Sequence, residues 1–110
     1  MEAKHSIFLE TFGESPAIKV IDFFLIFDSF DYSKSQVSEE TGISRITLDK
    51  IWDELIRQKI IVKTRNIGRA EMYKLNKESP RVKVLLELSI RLASAFAGEE
   101  ISRIKKKIEA

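Results

Sequence analysis

At 110 residues the chain has room for one hydrophobic core and not for two, so it reads as a single unit spanning residues 1–110. Apolar residues make up 44% and charged ones 33%, no apolar run approaches the ~18 residues a membrane span needs, and the first residues lack the layout of a secretory signal, so the expectation is a cytoplasmic protein without membrane contact. Cysteine is absent, which excludes disulfides and thiolate chemistry, and the net charge of +2 conceals a split: residues 1–42 carry three lysines against eight acids, residues 43–77 nine basic residues against four acids, and residues 78–110 seven against five.

In chain order, residues 4–12 make a short amphipathic piece with Ile7, Phe8 and Phe12 apolar, stopped by Gly13 and too short to stand alone as a helix. Ser15 and Pro16 supply an N-cap and a favoured first helical residue, opening a helix to about Phe27. That run is apolar nearly all round, with Lys19 and Asp22 as its polar stripe, so either a C-terminal helix or a second subunit must cover it. Phe30 and Tyr32 suggest a short strand.

Ser33 with Gln36 three residues later forms a capping-box pair, Val37 is the inward anchor, and Gly42 permits the positive φ that ends a helix. Ser44 then caps a second helix, with Ile43 and Leu48 at the spacing of a hydrophobic staple. Within it Leu48, Ile51, Trp52 and Leu55 fall on one apolar stripe. The opposite side carries Ile46, Lys50, Asp53 and Arg57, with Arg45, Thr47 and Asp49 on its flanks or leading end. Residues 33–58 therefore read as a helix-turn-helix.

Ile60–Arg65 is β-branched and bounded by Asn66 and Gly68, and Met72–Leu75 alternates with period two, so residues 60–75 read as a hairpin with a basic tip from Arg65 to Arg69. Ser79-Pro80 opens a last helix to about Ala97, with Val82, Leu85, Ser89, Leu92 and Phe96 on one face, widened by Val84, Leu88 and Ala95. Beyond Gly98, Ile101, Ile104 and Ile108 recur beside Lys105, Lys106 and Lys107, completing an extension over residues 80–110. The fold class is mainly α with a small β-hairpin, α+β: a winged helix-turn-helix with an added C-terminal helix.

The run Gly42-Ile43-Ser44-Arg45 through Leu55, then Ile60-Ile61-Val62, Thr64-Arg65, Ile67-Gly68-Arg69 and Tyr73-Lys74-Leu75, resembles the small archaeal winged-helix transcriptional regulators, relatives of the MarR/ArsR-like superfamily. The resemblance covers about residues 15–97 and implies a DNA-binding regulator.

Catalytic constellations are missing. His5 is the sole histidine, which rules out a His-based triad or a multi-His metal site within one chain. The acid pairs Glu39-Glu40 and Asp53-Glu54 point apart on their helices, and the glycines at 13, 42, 68 and 98 are too far apart for a phosphate loop. The expectation is a non-enzyme with no cofactor and no metal.

For double-stranded DNA the candidate residues are Ser44, Arg45, Ile46, Thr47 and Lys50 on the second helix and Arg65 and Arg69 on the wing. Arginine and lysine can donate to guanine O6 and N7, and threonine offers a hydroxyl and a methyl. Ile46 can touch a thymine methyl or pack on the wing; Asp49 can accept from cytosine N4 or pair with Lys50 or Arg45. Asp49 and Asp53 bring negative charge to this face. Arg65 and Arg69 suit a phosphate or a narrowed minor groove. Lys105–Lys107 can touch flanking DNA or compensate a helix dipole. Trp52, Phe23, Phe24 and Phe27 read as core.

The functional reading is a sequence-specific DNA-binding transcriptional regulator. It is expected to be a homodimer, joined through the C-terminal helix and N-terminal segment, with recognition helices in major grooves about 34 Å apart. The alternative is a winged-helix protein-protein interaction module without specific DNA binding.

Overall fold

Four serines start four helices. In the computed structural model, which describes residues 6–109 and side chains as far as Ala97, the hydroxyls of Ser6, Ser15, Ser33 and Ser44 accept from the backbone N–H of Leu9, Ile18, Gln36 and Thr47 at 3.1–3.3 Å. Each bond satisfies a helix-terminal donor that would otherwise lack a partner. The helices they open are α1 (Ile7–Phe12), α2 (Pro16–Ile26), α3 (Lys34–Thr41) and α4 (Arg45–Arg57). At Ser33 the capping box is complete, because the Gln36 side chain accepts from the Ser33 N–H at 2.8 Å.

The chain continues through β1 (Tyr32–Ser33, before α3), β2 (Ile61–Ile67), β3 (Ala70–Leu75) and α5 (Pro80–Glu109). The strands form an antiparallel sheet in the order β1-β3-β2, with Tyr32 opposite Tyr73 and Ile61 opposite Leu75. A register shift between Lys63 and Arg65 leaves Thr64 as the extra residue of a bulge. Gly68 and Arg69 make the two-residue turn, Gly68 taking a φ of 59° that a side chain would disfavour.

The core is built around α2. Val20, Phe24, Val37, Leu48 and Val82 are fully buried, so α2, α3, α4 and α5 all contribute. A chain of aromatic contacts ties the layers together: Phe23 meets Tyr32 edge-on at 5.0 Å, Phe24 lies 6.1 Å from Trp52, and Trp52 meets Tyr73 edge-on at 5.3 Å. The stripe expected on α4 faces inward as read, with Leu48, Trp52 and Leu55 buried and Ile51 half-buried. Leu85, Leu86 and Leu92 of α5 pack on the same core.

Several expectations need correction. Asp22, read as part of the polar stripe of α2, is 2% exposed and accepts from the Ser6 hydroxyl at 3.1 Å; burial raises its pKa and the Ser6 bond opposes the rise. The reason is that α1 folds over that side of α2 and brings Ser6 with it. Phe30 lies outside β1 and is exposed, because the chain pairs with β3 only at Tyr32 and Ser33. The hairpin strands are longer than read, so Arg65 lies within β2 rather than at the tip. The last helix does not stop near Ala97 but runs to Glu109, one glycine costing a helix only about 1 kcal/mol. His5 and the side chains of Ile101, Ile104, Ile108 and Lys105–Lys107 lie outside the described residues. Among the described residues no helix is long and apolar enough to cross a membrane.

Candidate nucleic-acid interface

Gly42, at φ 75°, ends α3 in the left-handed conformation, and its N–H reaches the Ser38 carbonyl. The turn is then fixed by its own side chains: the Ser38 hydroxyl donates to the Ile43 carbonyl at 2.6 Å, and the Thr41 hydroxyl accepts from the Ile43 N–H at 3.3 Å. Ile43 and Leu48 are both buried, as a hydrophobic staple requires. The angle at which α4 leaves α3 is thereby set by local chemistry.

With Leu48, Trp52 and Leu55 turned inward, α4 presents Arg45, Ile46 and Lys50 to solvent, Ile46 at 72% exposure. Ser44 is exposed at the helix start, where its hydroxyl also bonds the Thr47 hydroxyl at 3.0 Å; Thr47 itself is half-buried. Arg45 donates from Nη1 to the Ser35 hydroxyl of α3 at 2.6 Å.

Asp49 pairs with neither Lys50 nor Arg45. Its carboxylate takes the Lys34 ammonium at 2.8 Å, and that hydrogen bond lowers its pKa. Lys34 also lies 5.5 Å from the centre of the Trp52 ring, a cation–π contact. The acid that conflicted with a DNA-facing role is therefore matched by a cation from the neighbouring helix. Arg57 is turned along its own helix, gripping Glu54 through Nε at 2.8 Å.

On the wing the two arginines part company. Arg69 occupies the turn and is exposed. Arg65 is held by Asp31, from the segment before β1, while the Thr64 hydroxyl donates to the same carboxylate at 2.5 Å. Those hydrogen bonds, Arg65 first and Thr64 second, hold the Asp31 carboxyl down to about 2. Glu71 accepts from the Tyr73 hydroxyl at 2.8 Å and lies 3.7 Å from Lys63, and both lower its pKa. Ile67 and Val62 are exposed apolar residues on β2.

The structure thus brings Ser44, Arg45, Ile46, Thr47 and Lys50 to one end and face of α4 and sets Arg69 across from Arg45 around a shared hollow, while Arg65 stands apart on Asp31. Sequence reading missed Asp31, Lys34 and Ser35. A lysine in the first turn of α3 opposes the helix dipole, a signal that an anion stood nearby; nothing local marked Asp31 or Ser35. Among the described residues no cluster of His, Asp or Glu has the arrangement of a metal site.

A helix-turn-helix followed by a two-stranded wing, closed by β1 and backed by a long C-terminal helix, defines the winged-helix fold. No family model matches the sequence, and no curated protein matches it either. Among solved structures the chain is similar to a double mutant of ZitR from Lactococcus lactis in apo form, with a TM-score of 0.60 and 17% identity over 92% of this chain and 84% of that one. It is also similar to a possible transcriptional regulator from Methanosarcina mazei, with a TM-score of 0.54 and 14% identity over 88% of this chain and 84% of that one. The adhesin competence repressor AdcR from Streptococcus pyogenes gives 0.51 and 14%, over 94% of this chain and 85% of that one. At such identities the likeness establishes the shared fold.

Proposed function

We propose that this chain is a sequence-specific DNA-binding transcriptional regulator of one domain, acting in the cytoplasm and related to the small archaeal regulators of the MarR/ArsR-like superfamily. The observation that carries the reading is the outward face of α4. Arg45, Ile46 and Lys50 are exposed and have no part in the core, and they stand beside a wing whose tip is Arg69. Ser44, Arg45, Ile46, Thr47 and Lys50 are assigned to the major groove, as the recognition helix, and Arg65 and Arg69 to the backbone or minor groove. Two of the structural neighbours, the adhesin competence repressor AdcR and the possible transcriptional regulator from Methanosarcina mazei, support the same direction.

The assembly proposed is a homodimer through α5 and α1. Phe12, Ile26, Val84, Ile90 and Phe96 are exposed on α1, α2 and α5, and an open hollow of about 560 Å³ between these helices is lined by Phe8, Leu25, Ile26, Ile90 and Phe96. An α-helix of this length is about 45 Å long, and among its described side chains those in the core lie between Val82 and Leu92. A second copy would cover the remaining apolar surface.

A protein-docking role is favoured by one observation, the exposure of Ile46, Val62 and Ile67 on α4 and β2. The decisive experiment is selection from a random-sequence duplex pool, with the enriched sites sequenced. Enrichment of paired half-sites about one helical turn apart is the expected result. A pool that emerges unenriched, with no salt-dependent retention of any duplex, overturns the DNA-binding reading and leaves docking in its place.

A further inference from the structure

We infer that the hollow between the first turn of α3, the start of α4 and the tip of the wing seats one phosphate of a DNA strand, held by Ser35, Arg45 and Arg69. The inference rests on the DNA-binding reading and extends it to α3, which lies outside the recognition helix and the wing. The hollow has a volume of about 280 Å³ and is lined by Ser33, Lys34, Ser35, Arg45, Arg69 and Glu71. Three of these residues are cations, contributed by α3, α4 and the β2–β3 turn. Lys34 is neutralised by Asp49, whereas Arg45 and Arg69 have no carboxylate partner among the described residues, so an anion in the hollow relieves the repulsion between them.

The donors are free to act. Ser35 accepts from Arg45 Nη1, so its own hydroxyl proton remains available to a second acceptor. Arg45 commits one N–H to that bond, and the rest of its planar fork suits two phosphate oxygens. Arg69 faces the same space from the wing. Lys34 adds charge from behind while its ammonium stays on Asp49 at 2.8 Å. Glu71, the acid on the rim, is engaged by the Tyr73 hydroxyl at 2.8 Å and by Lys63 at 3.7 Å. On the DNA-binding reading, a strand running from the groove that α4 would enter to the wing would cross this position.

One consequence is a change of role for Arg45. Held by Ser35 at the mouth of the hollow, it contacts backbone and not a base, so its loss weakens all sequences alike.

Binding of a mixed-sequence DNA duplex across a salt series tests this, using the full chain and the variants Ser35→Glu, Arg45→Ala and Ser29→Glu. Ser35 is exposed in the first turn of α3, where an acid suits the helix dipole, so Ser35→Glu keeps its fold, which a melting curve checks. Ser29→Glu makes the same charge change in the exposed turn after α2. The expected result is a loss of about tenfold or more for Ser35→Glu and Arg45→Ala, a salt slope smaller by about one for Arg45→Ala, and less than about threefold change for Ser29→Glu. Equal losses for Ser35→Glu and Ser29→Glu, or an Arg45→Ala loss confined to particular sequences with the slope unchanged, overturn the phosphate seat while DNA binding stands. Wild-type protein that binds no duplex removes both.

Discussion

Arg65 grips Asp31 with two hydrogen bonds, Nε to Oδ2 at 2.9 Å and Nη2 to Oδ1 at 3.1 Å, joining the wing to the segment that leads into the helix-turn-helix across 34 positions of sequence. A carboxyl whose pKa falls on folding stabilises the fold fully above its unfolded value of 3.8, and the contribution is lost as pH drops through about 2. An NMR titration is expected to show the Asp31 carboxyl changing near 2, and Asp31→Asn should remove that part of the acid dependence. A midpoint at 3.8 would mean the pair does not persist in solution.

The same pair divides the labour of the wing. Arg69 is unpaired among the described residues, whereas Arg65 must leave Asp31 to give its full charge to DNA. Arg69→Ala is expected to weaken binding to all sequences about equally and to reduce the salt slope by about one, and Arg65→Ala to cost less. Affinities for selected and random duplexes over a range of salt decide it; a shift of sequence preference with no change of slope would make the wing a reader.

Lys50 lies outside the core, and Thr47→Ala keeps the N-cap bond, which uses the Thr47 backbone N–H, and gives up only the exposed bond between the Thr47 and Ser44 hydroxyls. Thr47→Ala and Lys50→Ala are therefore expected to melt close to wild type while losing about 1 to 3 kcal/mol of discrimination at particular base pairs. Unchanged specific-to-random affinity ratios, in variants that fold and still bind DNA, would defeat their assignment as readers.

Ile90 is 63% exposed on α5 and lines the hollow shared with Ile26 and Phe96. Sedimentation at micromolar concentration should give a dimer for the wild type and a monomer for Ile90→Glu, which places a charge where apolar surface is to be covered. A monodisperse wild-type monomer would refute the proposed interface.

Trp52 is 1% exposed and touches both Phe24 and Tyr73, while its indole N–H has no hydrogen-bond partner among the described residues. Trp52→Ala is expected to cost about 3 to 5 kcal/mol. Trp52→Phe keeps most of the ring and its contacts with Phe24 and Tyr73, so it should cost clearly less. Denaturant unfolding of both variants checks the order, and equal losses would show that the ring's packing is not what makes the position costly to change.

What the sequence by itself determined was local. Each serine cap bonds a backbone group three residues on, Gly42 supplies its own backbone freedom, and the Leu48-Ile51-Trp52-Leu55 stripe follows from helical period, so the helix-turn-helix and its outward face were readable from Ser33 to Arg57. The tertiary structure alone decided what lies opposite a side chain. Lys34 meets Asp49 across 15 positions, Asp22 meets Ser6 across 16, and Arg65 meets Asp31 across 34; no short-range period encodes such distances. Lys59 makes the same point in the backbone: it takes a left-handed φ of 59° without being glycine. It does so because its N–H reaches the Ile56 carbonyl and the Ile60 N–H reaches the Leu55 carbonyl, closing α4 and turning the buried Ile60 into the core. That burial outweighs a conformational cost of about 1 to 2 kcal/mol, a balance set by packing that the identity of residue 59 does not reveal.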